Sequence, residues 1–249
     1  MTMTMEKQTL VPQAALRLRP AEERGKADHG WLKSNFSFSF ADYYDPEHMQ
    51  FENLRVINDD DIAGGGGFPM HPHRNAEIFS YVLEGAIEHT DTMGNGSQVA
   101  AGGIQYMSAG SGVRHSEFNP SKTEPMRLLQ VWLLPNELDA TPQYDTLDLT
   151  PEDKDGKLKL FLSGDGRDGS IHARVDTDVY AATLNGDQRI DFDLTPGRKA
   201  WVQVARGNVT INGMELRRGD GLAVEDAGLL EFSNGEDAEF LLFDFYTRH

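Results

Sequence analysis

The sequence predicts an all-β protein that consists of two consecutive antiparallel β-barrels. The chain of 249 residues contains 25 glycines and 11 prolines, which favours many tight turns over long helices. Short apolar segments recur at regular spacing with glycine turns between them, a pattern typical of a small barrel or jelly roll. A segment of the first half also has a counterpart in the second half, and such a repeat indicates two copies of one unit.

The predicted strands of the first half are marked by two kinds of pattern. Phe36, Phe38 and Phe40 alternate with serines, and this period of two indicates a half-buried strand. Residues 128–134 are almost continuously apolar, which indicates a fully buried strand. Further strands are predicted at 54–57, at 78–88 with a break at Glu84-Gly85, and at 104–107. Glycines predict a close bend at 64–67 and a hairpin turn at 93–96.

A polar and acidic segment separates the two predicted barrels. Residues 138–158 are rich in turn-forming residues and could hold a short helix, so we interpret them as a linker between domains at 1–137 and 159–249. The repeat supports this division. The sequence LEGAI at 83–87 resembles ARGNV at 205–209, and a pair of glycines follows each copy.

Charge and composition exclude several kinds of partner and site. The formal net charge of −17 argues against direct binding of nucleic acid or of an anionic membrane surface. Because the chain has no cysteine, any metal must be bound through nitrogen and oxygen. No apolar run is long enough to span a membrane, and residues 1–20 lack the apolar core of a signal peptide. We therefore expect a cytoplasmic protein, and a monomer rather than a dimer.

Two short motifs carry the chemistry of the sequence. His71-Pro72-His73 places two imidazoles at i and i+2, on the same face of a strand. His115-Ser116-Glu117 repeats this spacing with one imidazole and one carboxylate, so two neighbouring strands could give four ligands to one ion. Three imidazoles and a carboxylate fit a divalent transition metal. Fe²⁺ is our first choice, and Mn, Ni, Co, Cu and Zn remain open.

The segments around these motifs resemble the pirin family, whose members are two-domain cupins (bicupins). GFPMHPHRNAEIFSYVLEG at 67–85 and MSAGSGVRHSEFNPSKTEP at 107–125 are similar to pirin signatures, and each follows a cupin motif with one extra residue. The resemblance covers residues 19–135 strongly and the remainder in outline. It implies two consecutive cupin, or jelly-roll, domains. It also implies that the first domain binds its metal through four residues: His71, His73, His115 and Glu117.

The second half lacks the motifs. Alignment of the two repeats puts Asp193 and Thr195 where the first pair of ligands stands, and Glu231 and Ser233 where the second pair stands. We therefore expect a C-terminal cupin domain without metal ligands.

Other side chains near the motifs are candidates for the surroundings of the ion. The resemblance implies that Glu77, the glutamate that typical cupins use as a ligand, is here a neighbour of the centre. Apolar residues could line a substrate pocket, although each also fits the plain core of a barrel: Phe68, Met70, Phe79, Met107 and Phe118. His89, at the end of a predicted strand, is expected to be exposed or hydrogen-bonded rather than catalytic.

The resemblance implies a quercetin 2,3-dioxygenase-like enzyme, which opens the ring of a flavonol with O₂ and releases CO. The substrates would be a small aromatic molecule and O₂, and Glu117 is the candidate base for the substrate hydroxyl. The alternative is a metal- or redox-sensing protein that acts through a protein partner, as some pirins do. A metal-dependent isomerase or decarboxylase is a third hypothesis, because a fold does not fix a function.

Overall fold

The computed structural model describes residues 9–246, which are almost entirely β-strand. Within this range the α-helical content is one turn, α1 (Pro151–Lys154), together with 3₁₀ turns at Gln13–Ala15, Ala21–Glu23 and Arg167–Gly169. The predicted all-β class is confirmed. Residues 1–8 and 247–249 lie outside the described residues. The first range begins both the first predicted domain and the segment considered for a signal peptide, and the second range ends the second predicted domain. No helix within residues 9–246 has the length and hydropathy to cross a membrane.

The first half of the chain contributes twelve strands. They are β1 (Leu16–Arg19), β2 (Gly25–Asp28), β3 (Leu32–Phe36), β4 (Leu54–Ile62), β5 (Gly67–His73), β6 (Glu77–Glu84), β7 (Ala86–Asp91), β8 (Gly96–Ala100), β9 (Gly103–Ser108), β10 (Val113–Phe118), β11 (Met126–Leu133) and β12 (Gln143–Asp148).

The second half contributes eight strands, two of them unusually long. They are β13 (Lys159–Ser163), β14 (Ile171–His172), β15 (Thr177–Gly186), β16 (Ile190–Leu194), β17 (Arg198–Ile211), β18 (Met214–Arg217), β19 (Gly221–Val224) and β20 (Gly228–Tyr246).

The N-terminal barrel is formed by two sheets. One has four strands in the order β5-β10-β7-β8, and the other has seven in the order β12-β9-β6-β11-β4-β3-β2. Every pairing within them is antiparallel. The short sheet carries both predicted metal motifs, because β5 and β10 are neighbours in it.

The C-terminal barrel is a single nine-stranded sheet. Its central pair, β17 and β20, shifts register at three places along its length, and these irregularities let β20 also pair with β15 and β16. Its interior is filled with aliphatic and aromatic side chains, among them Val202, Leu230, Phe232 and Phe240. The two-barrel fold predicted from the sequence is thus the observed one.

Two strands pair in ways that the order of the sequence does not reveal. Strand β1 pairs with β19 of the C-terminal sheet. Strand β12, which lies inside the predicted linker at 138–158, pairs with β9 of the N-terminal sheet. Strand β12 lies at the edge of its sheet, and its side chains are half-buried or exposed. Its sequence therefore lacks the alternation of apolar and polar residues that would predict a strand.

The strand predicted over Phe36, Phe38 and Phe40 is misplaced. Strand β3 ends at Phe36, and the two later phenylalanines follow it in a loop. Phe38 packs against Trp201 with ring centroids 4.9 Å apart, and Phe40 packs against Trp132 at 5.6 Å. The alternation of phenylalanine and serine therefore belongs to a loop that packs against both halves of the protein, and not to a continuous strand.

The largest core lies between the two barrels, where the seven-stranded sheet faces the nine-stranded sheet. Phe79 of β6 packs on Phe161 and Phe243, with ring centroids 5.4 and 6.3 Å apart. Full burial of one such side chain stabilises the fold by roughly 1.5–3 kcal/mol. The repeated turns also meet here: Arg206, beside Gly207, forms an ion pair of 3.3 Å with Glu84, beside Gly85.

Candidate metal centre

The two motifs lie side by side in the four-stranded sheet. Strands β5 and β10 run antiparallel, and His71 stands directly opposite His115. His73 lies two positions after His71 in β5, and Glu117 lies two positions after His115 in β10. In each strand the two motif side chains are therefore on the same face. Pro72 faces Arg114 on the other face.

Three imidazoles converge from these strands. The ring centroids of His71 and His115 are 4.5 Å apart, those of His71 and His73 are 4.8 Å apart, and those of His73 and His115 are 4.9 Å apart. The Nε2 atoms of His71 and His115 are separated by 3.1 Å. Nδ1 of His71 lies 2.8 Å from the carbonyl oxygen of Pro69, which can only accept, so Nδ1 carries the proton and Nε2 is free to bind an ion.

Burial keeps these imidazoles in the form that binds metals. Burial, and then the neighbouring His71, lowers the pKa of His73 to about 4. Burial and the surrounding histidines lower the pKa of His115 to about 3. Both rings are therefore neutral at pH 7, as metal coordination requires.

Glu117 lies deeper in the barrel than the three imidazoles. Between His115 and Glu117 the pairing of β10 with β5 shifts, so that Glu117 stands opposite Phe68. The donor atoms of the described residues accordingly form two overlapping groups, each within 4.8 Å: His71, His73 and His115 in one, and His89, His115 and Glu117 in the other. The structure thus brings the three histidines together and links Glu117 to them through His115.

Two amides hold the carboxylate of Glu117. Gln105 Nε2 donates to one oxygen at 2.7 Å, and Gln130 Nε2 donates to the other at 3.1 Å. Complete burial outweighs these bonds and raises the pKa of Glu117 to about 7. A buried carboxyl group of this kind can take up or release a proton near neutral pH.

Glu117 belongs to a polar layer inside the N-terminal barrel. Apolar clusters lie on both sides of it, one around Val82 and Leu128 and the other around Ile78 and Met107. In the described part of the chain, the buried polar atoms without a protein partner include Nδ1 of His89, Nδ1 of His115 and Nε1 of Trp132. Because most buried polar groups are paired, these atoms mark a part of the polar layer where the protein itself supplies no hydrogen-bond partner.

The predicted neighbours of the centre divide according to the face of the sheet on which they lie. Phe68 stands edge-on to Trp31 at 5.2 Å and lies 6.3 Å from the ring of His71. Met70 precedes His71 on β5 and is 40% exposed. Met107 packs in the apolar cluster that contacts Trp132. Phe118 follows Glu117 in β10 and therefore lies on the other face of the strand, half-buried opposite Gly67.

Two further predicted neighbours, Glu77 and Phe79, also point away from the centre. The carboxylate of Glu77 accepts hydrogen bonds from Tyr106 and, at 2.7 Å, from Ser108, and it lies 3.3 Å from the backbone N–H of Arg174 in the second half. Phe79 belongs to the core between the barrels. Both expectations are corrected, because alternate residues of β6 face opposite sides and these two share the outer face.

Sequence reasoning missed one potential donor among the described residues, His89, and the side chains that contact it. His89 is hydrogen-bonded to Asp91, 3.0 Å away, and it is fully buried rather than exposed. Of the two environments predicted for it, the hydrogen-bonded one is therefore observed. Its ring stacks on Tyr144 with centroids 4.2 Å apart. The i, i+2 spacing of His89 and Asp91 repeats that of the two motifs and was the signal available in the sequence.

Within residues 9–246 both donor groups lie in the N-terminal barrel. The positions that the repeat equates with the ligands lie in β16, β20 and the turn after β16, on a barrel with an apolar interior. A groove of about 250 Å³ lies between the two halves and is lined by Glu52, Asn53, Asn136, Asp176 and Tyr246 among others. It contains no imidazole, so the histidine cluster is the better candidate for chemistry.

Comparison with known proteins agrees with this architecture. The family model described as Pirin matches residues 17–133, and the model described as Quercetinase C-terminal cupin domain matches residues 160–245. Quercetin 2,3-dioxygenase of Escherichia coli (strain K12) is 49% identical over 227 residues, which cover 91% of this chain and 97% of that protein. A pirin-like protein of Caulobacter vibrioides is 40% identical over 227 residues, with shares of 91% and 97%.

Solved structures support the same assignment. The bacterial pirin YhhW from Escherichia coli, in complex with nickel(II), superposes with a TM-score of 0.89 at 47% identity, covering 94% of this chain and 100% of that one. The relatives' names agree with the prediction of an enzyme, and the nickel complex agrees with the prediction of a metal-binding cupin. On sequence identity, coverage and fold, the chain belongs to the pirin family.

Proposed function

We propose that the chain is a metal-dependent dioxygenase that opens the ring of a flavonol such as quercetin with O₂ and releases CO. His71, His73, His115 and Glu117 would hold the ion. The single observation that carries the proposal is the convergence of three imidazoles, with the Nε2 atoms of His71 and His115 3.1 Å apart. The names of the relatives, which include quercetin 2,3-dioxygenase, support the choice of substrate class.

The ion that we propose is Fe²⁺, with nickel as the first alternative because a related pirin binds it. When bound, a divalent metal supplies Lewis-acid polarisation and a template for substrate and oxygen. Manganese, cobalt, copper and zinc fit the same donor types.

Glu117 is the proposed base. A carboxylate ligand that moves away from the ion can take the proton of a substrate hydroxyl group. The amides of Gln105 and Gln130 hold both carboxylate oxygens in place, which orients the group toward the centre. Replacement of Glu117 by Gln should leave the barrel folded and lower turnover more than substrate affinity.

The opening of the barrel supplies the apolar surroundings that an aromatic substrate needs. Phe68 and Trp132 border the imidazoles. The ring of Phe68 lies 6.3 Å from that of His71, and Trp132 lies edge-on to His73 with ring centroids 4.9 Å apart. Aromatic side chains around a few polar groups are typical of small-molecule sites. These side chains would bind the rings of the substrate and exclude water.

The decisive experiment measures oxygen uptake and CO release with quercetin, using protein loaded with Fe²⁺ or Ni²⁺. We expect turnover that stops with a chelator and with His73→Ala, and that persists with His172→Ala, an exposed histidine of the C-terminal barrel. Full metal occupancy without turnover on any flavonol or catechol would contradict the proposal.

That negative result would favour the second candidate, a metal-sensing protein that acts through a protein partner. The observation in its favour is the net charge of −17, which suits a basic protein surface. The cytoplasmic location, the monomeric state and the domain boundaries at 137 and 159 stay predictions.

A further inference from the structure

A groove runs along the boundary between the two halves, with lining residues that differ from those of the histidine cluster. It consists of two hollows of about 250 and 230 Å³, which share Asn136, Asp176 and Tyr246. The first half supplies Glu52, Asn53 and Asn136 to its walls, and the second half supplies Asp176 and Tyr246. Small-molecule sites often lie at such boundaries, and the two hollows joined have the size of one.

Hydrogen bonds join the two halves along the groove. Thr177 Oγ1 donates to Asn53 Oδ1 at 2.8 Å, and the backbone N–H of Asn136 donates to the carbonyl oxygen of Arg174 at 2.8 Å. Within the first half, the backbone N–H of Leu134 donates to the carbonyl oxygen of Asn53 at 2.8 Å. Because the walls are fixed before a ligand arrives, little conformational entropy is lost on binding.

Charged side chains of the groove are paired within the protein. Glu52 forms an ion pair of 2.7 Å with Lys199. Arg167 forms ion pairs with Asp165 at 3.0 Å and with Asp178 at 2.6 Å. A cationic ligand would compete with Lys199 and Arg167 for these carboxylates, and an anionic ligand would be repelled by them. The groove therefore favours a neutral ligand.

The polar groups of the groove can also serve hydroxyl groups of a ligand. An ionised carboxylate has about four acceptor sites, and an amide has two donor hydrogens and an acceptor oxygen. Nδ2 of Asn136 donates to Asp176 at 3.1 Å, which uses one of its two hydrogens. Nδ2 of Asn53 makes a long contact of 3.5 Å with the carbonyl oxygen of Leu134. Donors and acceptors thus lie next to each other, and a hydroxyl group, which donates and accepts, can use both.

An exposed aromatic ring borders both hollows. Tyr246 is 51% exposed, and the guanidinium carbon of Arg198 lies 3.5 Å from the centroid of its ring. Arg198 thus covers one face of the ring. The π-system of the other face is electron-rich and attracts the polarised C–H groups of a sugar ring. Leu134 and Pro135 add apolar surface on the side of the first half.

We propose that the groove binds a neutral sugar, as a single pyranose ring or a short chain of such rings. Its hydroxyl groups would bond to the amides and carboxylates, and its C–H face would stack on Tyr246. The inference is carried by an exposed aromatic ring beside polar groups whose charges are already balanced. It is independent of the metal centre, so it and the proposed function can fail separately.

The test is saturation-transfer difference NMR, in which magnetisation passes from the protein to a bound ligand. It uses the complete protein, with the methyl β-pyranosides of glucose, galactose and mannose as probes. We expect transfer to at least one of them, strongest at the protons of one face of the ring. Tyr246→Ala should weaken binding about tenfold or more, and Asn136→Ala should also weaken it. The matched control is Tyr44→Ala, because Tyr44 is 72% exposed and lies outside the groove, so we expect no change.

No transfer to any of the three sugars would overturn the inference. Equal transfer in the unmodified protein, Tyr246→Ala and Asn136→Ala would place the binding elsewhere and overturn it as well. Protonated glucosamine and glucuronate test the charge argument: we expect both to bind more weakly than the methyl glucoside, and tighter binding of either would reject a site for neutral sugars. If Tyr246→Ala does not fold, as judged by its circular dichroism, Asn136→Ala decides.

Discussion

The Nε2 atoms of His71 and His115 face each other across two antiparallel strands at 3.1 Å. His71 keeps its proton on the far nitrogen, bound to the carbonyl of Pro69, so its near nitrogen presents a lone pair. Burial lowers the pKa of His115 to about 3, so this ring does not gain a proton at neutral pH. A cation between the two rings is the partner that such an arrangement favours.

The first prediction concerns the pH at which metal is lost. If the ligands had the pKa of a typical histidine, near 6.5, metal affinity would fall below about pH 6. Burial lowers the pKa of His73 to about 4 and that of His115 to about 3, so these ligands resist protonation to lower pH. Protonation of Glu117, whose pKa burial raises to about 7, should weaken Ni²⁺ binding first. We expect the imidazoles to keep the ion bound at pH 5 and to release it toward pH 4, measured by equilibrium dialysis. Loss of half the metal already at pH 6 would contradict these shifts.

The second prediction concerns Asp60, a buried carboxyl group in the polar layer. Burial raises the pKa of Asp60 to about 7, while Ser34 donates a hydrogen bond to it. The folded protein therefore binds a proton that the unfolded chain releases between about pH 4 and 7, and stability contributed by this group falls as the pH rises through that window. Asp60→Asn removes this loss of stability at high pH, because an amide does not ionise.

We expect Asp60→Asn to be more stable than the unmodified protein at pH 8, by on the order of 2 kcal/mol, and equally stable at pH 4. Urea unfolding at both values measures this. A stability difference that does not change with pH would indicate that Asp60 does not titrate in the folded protein as its burial implies.

The third prediction concerns the buried ion pair between the barrels. Arg127 binds Asp59 through two hydrogen bonds of 2.9 and 3.1 Å and also donates to the carbonyl of Ala205 in the second half at 2.9 Å. Arg127→Leu removes both hydrogen bonds from the buried carboxylate of Asp59 and leaves it with one weaker ion-pair partner. We therefore expect a loss of about 3 kcal/mol in the free energy of unfolding.

The control for this prediction is Arg74→Leu, because Arg74 also donates two hydrogen bonds to a carboxylate, both to one oxygen of Asp139, on the exposed surface. Solvent screens this pair, so we expect little change in stability. Equal effects of the two substitutions in thermal unfolding would show that burial does not decide the strength of these pairs.

The fourth prediction concerns the repeated turn at Gly207. Its φ is +59°, and a Cβ there would lie 2.0 Å from the carbonyl oxygen of Glu236. Gly213 also has a positive φ, +81°, but has open space around its Cβ position. Gly213→Ala should cost about 1 kcal/mol from backbone strain alone, and Gly207→Ala should cost clearly more. Similar melting temperatures for the two variants would argue against a close approach at Gly207.

The fold and the histidine cluster were accessible from the sequence because their signals are local. The i, i+2 spacing fixes which side chains share a face, and the two motifs need only adjacent strands to meet, as β5 and β10 do. The glycine turns of the repeat, Gly85 and Gly207, have positive φ values of +71° and +59°, so their residue type follows directly from their backbone.

The missed features depend on pairings between distant parts of the chain. The placement of Glu77 failed because its distance from His73 in sequence does not reveal that it shares the outer face of β6 with Phe79. Strand β1 joins the C-terminal sheet although it belongs to the predicted first domain. His89 was undervalued because burial and the stacking on Tyr144, from the predicted linker, arise only in the folded barrel.

The most direct test of the central claim is anomalous X-ray diffraction at the absorption edge of the metal, from crystals loaded with Ni²⁺. The account predicts one anomalous peak inside the N-terminal barrel, within bonding distance of His71, His73, His115 and Glu117. A peak elsewhere, or fully loaded protein whose peak touches fewer than three of these four side chains, would contradict it.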